Sequence, residues 1–242
     1  MAHLDVDDLG TIVGVWAHPD DDIYLSAAVM AVAARAGRRV VDVTATRGEG
    51  GSMDHDRWPP ERMGEIRTAE LLRSLQILGV EEHRFLDGPV DVDMDTPLDE
   101  RGAAQVEAII AEVQPDTVLT FGPDGMTGHE GHKSVCRWAT DAFMTQAKPG
   151  ASLLYATTTS EWAERWVPVL QRFDMFRPGT PPVTPRDELA VAFDLPPDLA
   201  ALKVESIHAH ESQVEGLFEA FGRDDMATAL SGEFFRLGAV KE

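Results

Sequence analysis

Cysteine is almost absent. Cys136 is the single one in 242 residues, so no intrachain disulfide can form, which fits a reducing compartment. Basic residues are scarce as well: 21 Lys and Arg stand against 42 Asp and Glu, a formal net charge of −21. A surface of that sign repels nucleic-acid phosphates and anionic membranes, which argues against both as partners. The opening stretch MAHLDVDDLG lacks the basic residues and apolar core of a secretion signal, and no run is long and apolar enough for a membrane span. There is no internal repeat, no low-complexity tract and no sharp compositional boundary. These absences lead us to expect a cytoplasmic protein built as a single domain over residues 1–242. They leave its oligomeric state open between monomer and homo-oligomer.

The hydrophobic fraction, 43%, is sufficient for a sizeable core. Residues 11–17, TIVGVWA, are a β-branched apolar run and predict a buried strand. The pattern then predicts a helix over 22–36 closed by Gly37, a strand over 39–46, a long loop over 47–60 and a helix over 61–78 ended by Gly79. A short strand (83–86), an acidic loop (87–97), a helix (98–113), a strand (117–121), a glycine-punctuated loop (122–128), a helix (128–144) and a strand (152–157) follow. This alternation predicts an α/β fold, a mostly parallel sheet with helices on both faces, over residues 1–157. Residues 158–242 read as a less regular C-terminal extension packing on that core. It holds a helix over 161–173, a proline-rich loop over 177–186, an edge strand over 188–194 and one long helix over 199–221.

Ligands of such sheets bind beyond the carboxyl ends of the strands. Three polar clusters fall there: HPDDD (18–22), TRGEGGS (46–52) and GPDGMTGHEGH (122–132). Three adjacent carboxylates in HPDDD either cap a helix or hold something positive. The HxxD spacing of His18 and Asp21, paired with the HxxH spacing of His129 and His132, favours a cation. Together they supply three N/O ligands for a divalent metal: His18, Asp21 and one of the two later histidines. Zinc enzymes commonly bind this way and keep a further position for water, whose pKa falls to about 7. Asp20, between two ligands, is placed to remove the water's proton. The residues alone do not choose between His129 and His132.

These motifs resemble the PIG-L/LmbE-like metal-dependent N-deacetylases. The AHPDD[E/D] signature is matched by residues 17–22 and G-H-x-x-H by residues 128–132. Weaker elements are T-x-G-E at 46–49, R-x-x-E at 67–70 and a-H-x-S-Q at 209–213. The resemblance runs in order along nearly the whole chain. It implies a Rossmann-like fold and hydrolysis of the N-acetyl group of a glucosamine-type sugar or conjugate, a small-molecule partner. It implies His18, Asp21 and His132 as ligands of Zn2+, with Fe2+ as the alternative. It makes Asp20 the general base and His129 the residue that stabilises the oxyanion or acts as acid. Two positions depart from the family pattern. Gly131 stands where G-H-x-D-H carries aspartate, which alters support for the neighbouring histidines, and Asp22 stands where glutamate is commoner.

Glu49 and Arg67 are candidate sugar-hydroxyl contacts; the alternative for Arg67 is a helix-surface ion pair with Glu70. TRGEGGS lacks the lysine of a phosphate loop, and HPDDD stands where a dinucleotide fold needs its glycines. The 47–60 loop, with Met53, His55 and Trp58, is long enough to cover a site. His208 and His210 do not share a helix face. Cys136 reads as a small buried residue, and Trp162 and Trp166 as core packing rather than a sugar platform. Competing functions are a metal-dependent esterase or phosphoesterase, and a non-catalytic sugar-binding protein that retains a metal.

Overall fold

One seven-stranded sheet organises the described residues, 4–242, of the computed structural model. Met1, Ala2 and His3, part of the stretch read above for a secretion signal, lie outside them. In chain order the elements are β1 (Ile12–Trp16), α1 (Asp21–Arg35), β2 (Val40–Thr44), α2 (Met63–Leu78), β3 (Glu82–Phe85), α3 (Arg101–Val113), β4 (Thr117–Phe121), α4 (Glu130–Gln146) and β5 (Ser152–Thr157). Then come α5 (Ser160–Leu170), β6 (Val191–Asp194), α6 (Pro197–His208), α7 (Glu211–Phe221), α8 (Arg223–Ala229) and β7 (Gly232–Val240). The strands lie in the order β3-β2-β1-β4-β5-β7-β6. The first five are parallel, and β7 is antiparallel to both neighbours.

Every residue of β1, β2 and β4 is buried, as expected for parallel strands covered on both faces. The chain steps from β1 outward to β3, then returns across β1 to β4 and β5. With right-handed crossovers, that reversal sets α1 and α2 on one face and α3 and α4 on the other. The packing agrees: α1 touches α2 and α6, and α3 lies along α4. The reversal also opens a crevice between the carboxyl ends of β1 and β4, where open α/β sheets take ligands. Beneath it, Trp16 meets Phe121 edge-on with centroids 5.2 Å apart. Both rings are fully buried, worth roughly 1.5–3 kcal/mol each in apolar burial. Gly14 makes room for them, since a Cβ there would fall 2.6 Å from Trp16 Nε1.

The mostly parallel α/β sheet expected from the sequence is present, and the edge strand expected over 188–194 is found shorter, at Val191–Asp194, because residues 186–188 form a helical turn. Two readings are corrected. The helix expected over 199–221 is two helices, because His210 turns inward at the joint and is fully buried with Nε2 3.1 Å from Ser74 Oγ. The C-terminal residues, to which the sequence pattern assigned no strand, form α8 and β7, and β7 enters the sheet between β5 and β6. From β7, Glu233 reaches under α1. Its carboxylate accepts the amide N–H groups of Ala28 and Val29 at 2.9 Å each and pairs with Lys203 of α6 at 2.8 Å, all out of solvent.

Candidate metal centre

The chain leaves β1 through a strained turn. Asp20 sits at φ 121° and ψ −28°, a conformation costing about 1–3 kcal/mol for a non-glycine residue. Several contacts hold it there. The Asp20 amide donates to Asp22 Oδ1 at 3.2 Å, the His18 amide donates to Asp21 Oδ2 at 2.7 Å, and Arg67 donates to the Pro19 carbonyl at 2.7 Å. The turn directs His18 and Asp21 across the crevice toward the start of α4.

There they meet His132. His18 Nδ1 lies 3.1 Å from His132 Nε2, Asp21 Oδ2 lies 3.3 Å from His18 Nδ1, and Asp21 Oδ1 lies 3.3 Å from His132 Nε2. Four-coordinate zinc with ligand distances of about 2.0–2.1 Å needs ligand atoms about 3.3 Å apart, so the triangle fits such an ion. The ring of His132 is stacked on Phe121 at 4.1 Å, and its Nδ1 is 2.9 Å from the Gly125 carbonyl. That bond puts the ring proton on Nδ1 and leaves the Nε2 lone pair free for a cation.

The charge balance points the same way. Burial opposes charge on His18, yet Asp21 and Asp91 outweigh it and raise its pKa to about 9. Burial also works against the Asp21 carboxylate, but His132 and His18 hold its pKa well below the usual range. Burial lowers His132 to about 4, keeping a neutral imidazole, the ligand form. A site that draws a proton onto His18 is short of positive charge, and a divalent ion would supply it.

Asp20 is apart from this triangle. Burial raises its pKa to about 7, against the pull of Arg67, whose guanidinium is 3.1 Å from Asp20 Oδ2. A carboxylate poised near neutrality is suited to accept and return a proton. His129 caps α4: its Nδ1 accepts the Gly131 N–H at 3.0 Å. The ring proton therefore sits on Nε2. Burial, helped by His18 and His132, lowers its pKa to about 3, so it is a neutral hydrogen-bond donor.

Arg67 and Glu49, expected at sugar hydroxyls, both have internal partners. Arg67 is buried and binds Asp20, Pro19 O and, at 3.4 Å, Gly48 O, so it is not the surface partner of Glu70. Glu70 instead accepts from the Ser212 amide at 2.8 Å and the Ser212 hydroxyl at 2.7 Å. Glu49 Oε2 accepts the amides of Arg47 and Asp91, each at 3.2 Å. The sequence reading passed over Asp91, which is buried 3.4 Å from His18 Nε2. Its signal was the alternation VDVDMD, in which Val90 and Val92 are exposed while the aspartate between them turns inward. The 47–60 loop is tied to α7 by Gln213, donating to Gly51 O at 3.0 Å, and by the Arg57–Glu215 pair, while Met53 is exposed. Cys136 is buried, its thiol pushed up to about 11 by burial. Trp166 packs in a small apolar cluster with Leu170 and Phe176, and Trp162 donates to Ala229 O at 2.7 Å.

Architecture and donor set together define a class: α/β proteins with a candidate divalent-cation centre at the carboxyl ends of parallel strands. The chain belongs to the PIG-L family, the GlcNAc-PI de-N-acetylases, whose family model matches residues 13–143. It is 30% identical to a 1D-myo-inositol 2-acetamido-2-deoxy-alpha-D-glucopyranoside deacetylase of Streptomyces avermitilis, over 92% of this chain and 90% of that protein. It is 34% identical to the deacetylase of the same name from Kineococcus radiotolerans, where the match spans 58% of this chain and 46% of that protein. The fold is similar to that of N,N'-diacetylchitobiose deacetylase from Pyrococcus horikoshii, with a TM-score of 0.70, 19% identity, and coverage of 95% of this chain and 84% of that one. It is also similar to the 4-carboxy-2-hydroxymuconate hydratase GalB of Pseudomonas putida KT2440, with a TM-score of 0.60, 16% identity, and coverage of 96% and 98%. Likeness of fold alone therefore does not select the reaction. No helix among the described residues is long and apolar enough to cross a membrane.

Proposed function

We propose that this chain is a divalent-metal-dependent amidohydrolase that removes the N-acetyl group from a glucosamine-type sugar or a small conjugate of one. The observation that carries the reading is the triangle of His18, Asp21 and His132, with edges of 3.1–3.3 Å. It is supported by a proton-accepting carboxylate and a hydrogen-bond donor beside it, and by the deacetylase relatives. All 242 residues are taken as one working unit, with residues 158–242 packed on the 1–157 core.

His18, Asp21 and His132 would hold the ion; two imidazoles and a carboxylate suit zinc, and ferrous iron is the alternative. When bound, the ion supplies Lewis-acid polarisation of the amide carbonyl and makes water more acidic. Asp20 takes a proton from the attacking water as its oxygen bonds to the carbonyl carbon. His129 Nε2–H donates to the oxygen that becomes negative, an interaction strongest near the transition state. Asp20 then passes its proton to the nitrogen as the C–N bond breaks, giving acetate and a free amine. The Arg67 guanidinium keeps Asp20 aimed and eases its return to the ionised form. Glu49 is half-buried and directs one carboxylate oxygen at the two backbone amides, so its other oxygen is the one available for a sugar hydroxyl.

The test couples metal analysis of the purified protein to an amine-release screen on N-acetylglucosamine conjugates. One divalent ion per chain and metal-dependent release of amine are expected. A metal-loaded protein that cleaves esters or adds water to a conjugated acid, and releases no amine from any N-acetylated sugar, would overturn the reading.

A further inference from the structure

The loop that follows β3 holds Asp91 under two imidazoles. As a cation ligand His18 would use Nδ1, which faces Asp21 and His132, and this leaves its N–H at Nε2, 3.4 Å from Asp91 Oδ1. His129 turns Nδ1 to the Gly131 N–H, so its proton is also on Nε2. Donor atoms of His18, Asp91 and His129 all lie within 4.8 Å of one another, and all three residues are buried. His18 Nε2 is sealed from solvent and has no aligned hydrogen-bond partner among the described residues. A buried N–H left unsatisfied is costly, and the Asp91 carboxylate is the acceptor at hand after a small rotation.

We infer that Asp91 is a positioning residue that holds His18 and His129 in register, so that one carboxylate orients both a cation ligand and the oxyanion donor. The inference rests on the proposed metal reading of His18, Asp21 and His132. The backbone keeps Asp91 in place. Its amide donates to Glu49 Oε2 at 3.2 Å, and the neighbouring Gly50 leaves no slack. A Cβ on Gly50 would fall 2.6 Å from the Val92 carbonyl oxygen and 3.2 Å from Asp91 Oδ2. The loops after β2 and β3 thus lock together behind the carboxylate.

The same three side chains could be taken for a second cation site. The tautomer of His129 speaks against it. Its Nδ1 lone pair is engaged by a backbone amide and its Nε2 bears a proton, so neither nitrogen is free to ligate. A carboxylate beside the N–H of a ligating imidazole, with a second imidazole within reach, is placed to act as a clamp, and such partners of a ligating histidine typically contribute ~10–100-fold to metal affinity.

The experiment is titration of metal-free wild type, D91N and D91A with Co2+, reading stoichiometry, affinity and the visible d–d spectrum, with circular dichroism as a fold control. Wild type is expected to bind one ion. Both variants should bind it 10–100-fold more weakly with an altered spectrum, and kcat should fall more than KM rises. Unchanged affinity and spectrum in both variants, or a loss confined to KM, overturns the inference and leaves the metal reading standing. Two ions in wild type falling to one in D91A replaces the clamp with a second cation site and overturns it too. Failure of wild type to bind any ion ends both.

Discussion

Replacing Lys203 by methionine should cost the protein several kcal/mol although Lys203 is nowhere near the chemistry. Its ammonium is 2.8 Å from Glu233 Oε1, and both side chains are essentially without solvent. Methionine is unbranched like lysine and only one heavy atom shorter, so it fills most of the same space and the packing loss is small. What remains is a buried carboxylate facing only the amides of Ala28 and Val29. Breaking a buried pair from one side typically costs about 3–5 kcal/mol, because the surviving charge loses its compensation. Glu233→Gln strands the lysine in the same way and belongs to the same range.

The double variant K203M/E233Q carries no buried charge. A glutamine carbonyl can still accept from one of the two helix amides, so the double variant should fall within about 1–2 kcal/mol of wild type. The two single losses would then fail to add, with a coupling of at least about 2 kcal/mol. Urea unfolding of the four proteins at pH 7, without metal, measures this directly. The single variants should also bind metal more weakly, since Glu233 steadies the helix whose first residue is Asp21. A K203M protein that loses less than 1 kcal/mol, or two single losses that simply add, would refute the view that this pair fixes α1 to β7 and α6.

Asp20→Asn should lower kcat by about 10²–10⁴-fold while bound metal stays at one equivalent, as general-base loss requires; metal loss on mass analysis would make Asp20 a ligand instead. Because ionised Asp20 is the active form, kcat/KM should rise with pH through its pKa. Arg67→Met removes the charge that lowers this pKa, so the rising limb should move to higher pH; an unmoved limb would detach Arg67 from Asp20. His129→Gln should cost about 10²–10³-fold in kcat with little change in metal content, read by turnover on metal-saturated enzyme. The metal-free protein should be most stable near pH 5–6 in urea titrations. Asp20 and Asp42, raised to about 7 and 8, lose their contribution from roughly pH 4 up to those values, and His18, raised to about 9, loses its own from roughly pH 6.5 upward, so above about 6.5 only falling contributions remain. His129, His132 and His210 are depressed to about 3, 4 and 3, so theirs is lost as pH falls from about 6.5 toward those values. Asp42→Asn should flatten the alkaline fall; an unchanged slope would count against a buried, protonated Asp42.

Strands β1, β2, β4 and β5 were legible because they are mostly apolar and punctuated by Gly and Pro; 117–121 and 152–157 match β4 and β5 residue for residue. Helix starts were off by two or three residues at α2, α3 and α4, where first turns are set by contacts from elsewhere. His129, for instance, caps α4 with a side chain that sequence pattern reads only as a ligand. The break between α6 and α7 was invisible because it depends on Ser74 and Glu70, more than 130 residues upstream. Strand β7 escaped because it is amphipathic and irregular, with its buried residues bunched at 233–235. At the site, spacing within each motif brought forward His18, Asp21 and the pair His129 and His132, and the family resemblance chose His132. It could not show that Arg67 turns inward to Asp20, nor that Asp91 turns in from a distant loop, since both depend on how separate loops meet.

The run Asp20-Asp21-Asp22 shows how a single turn gives three identical side chains three different charges. Asp21 faces His18 and His132 and is held ionised. Asp20 faces Arg67 across a buried gap and is balanced near neutrality. Asp22 is fully buried, and burial, reinforced by the nearby carboxylate of Asp42, pushes its pKa well above the usual carboxylate range. The repulsion expected of three carboxylates is thus avoided by distributing protons. An environment that sets neighbouring carboxyls to different pKa values is how a site obtains ligand and base from the same residue type. The structural carboxyl, Asp22, then serves the base by accepting its amide at 3.2 Å.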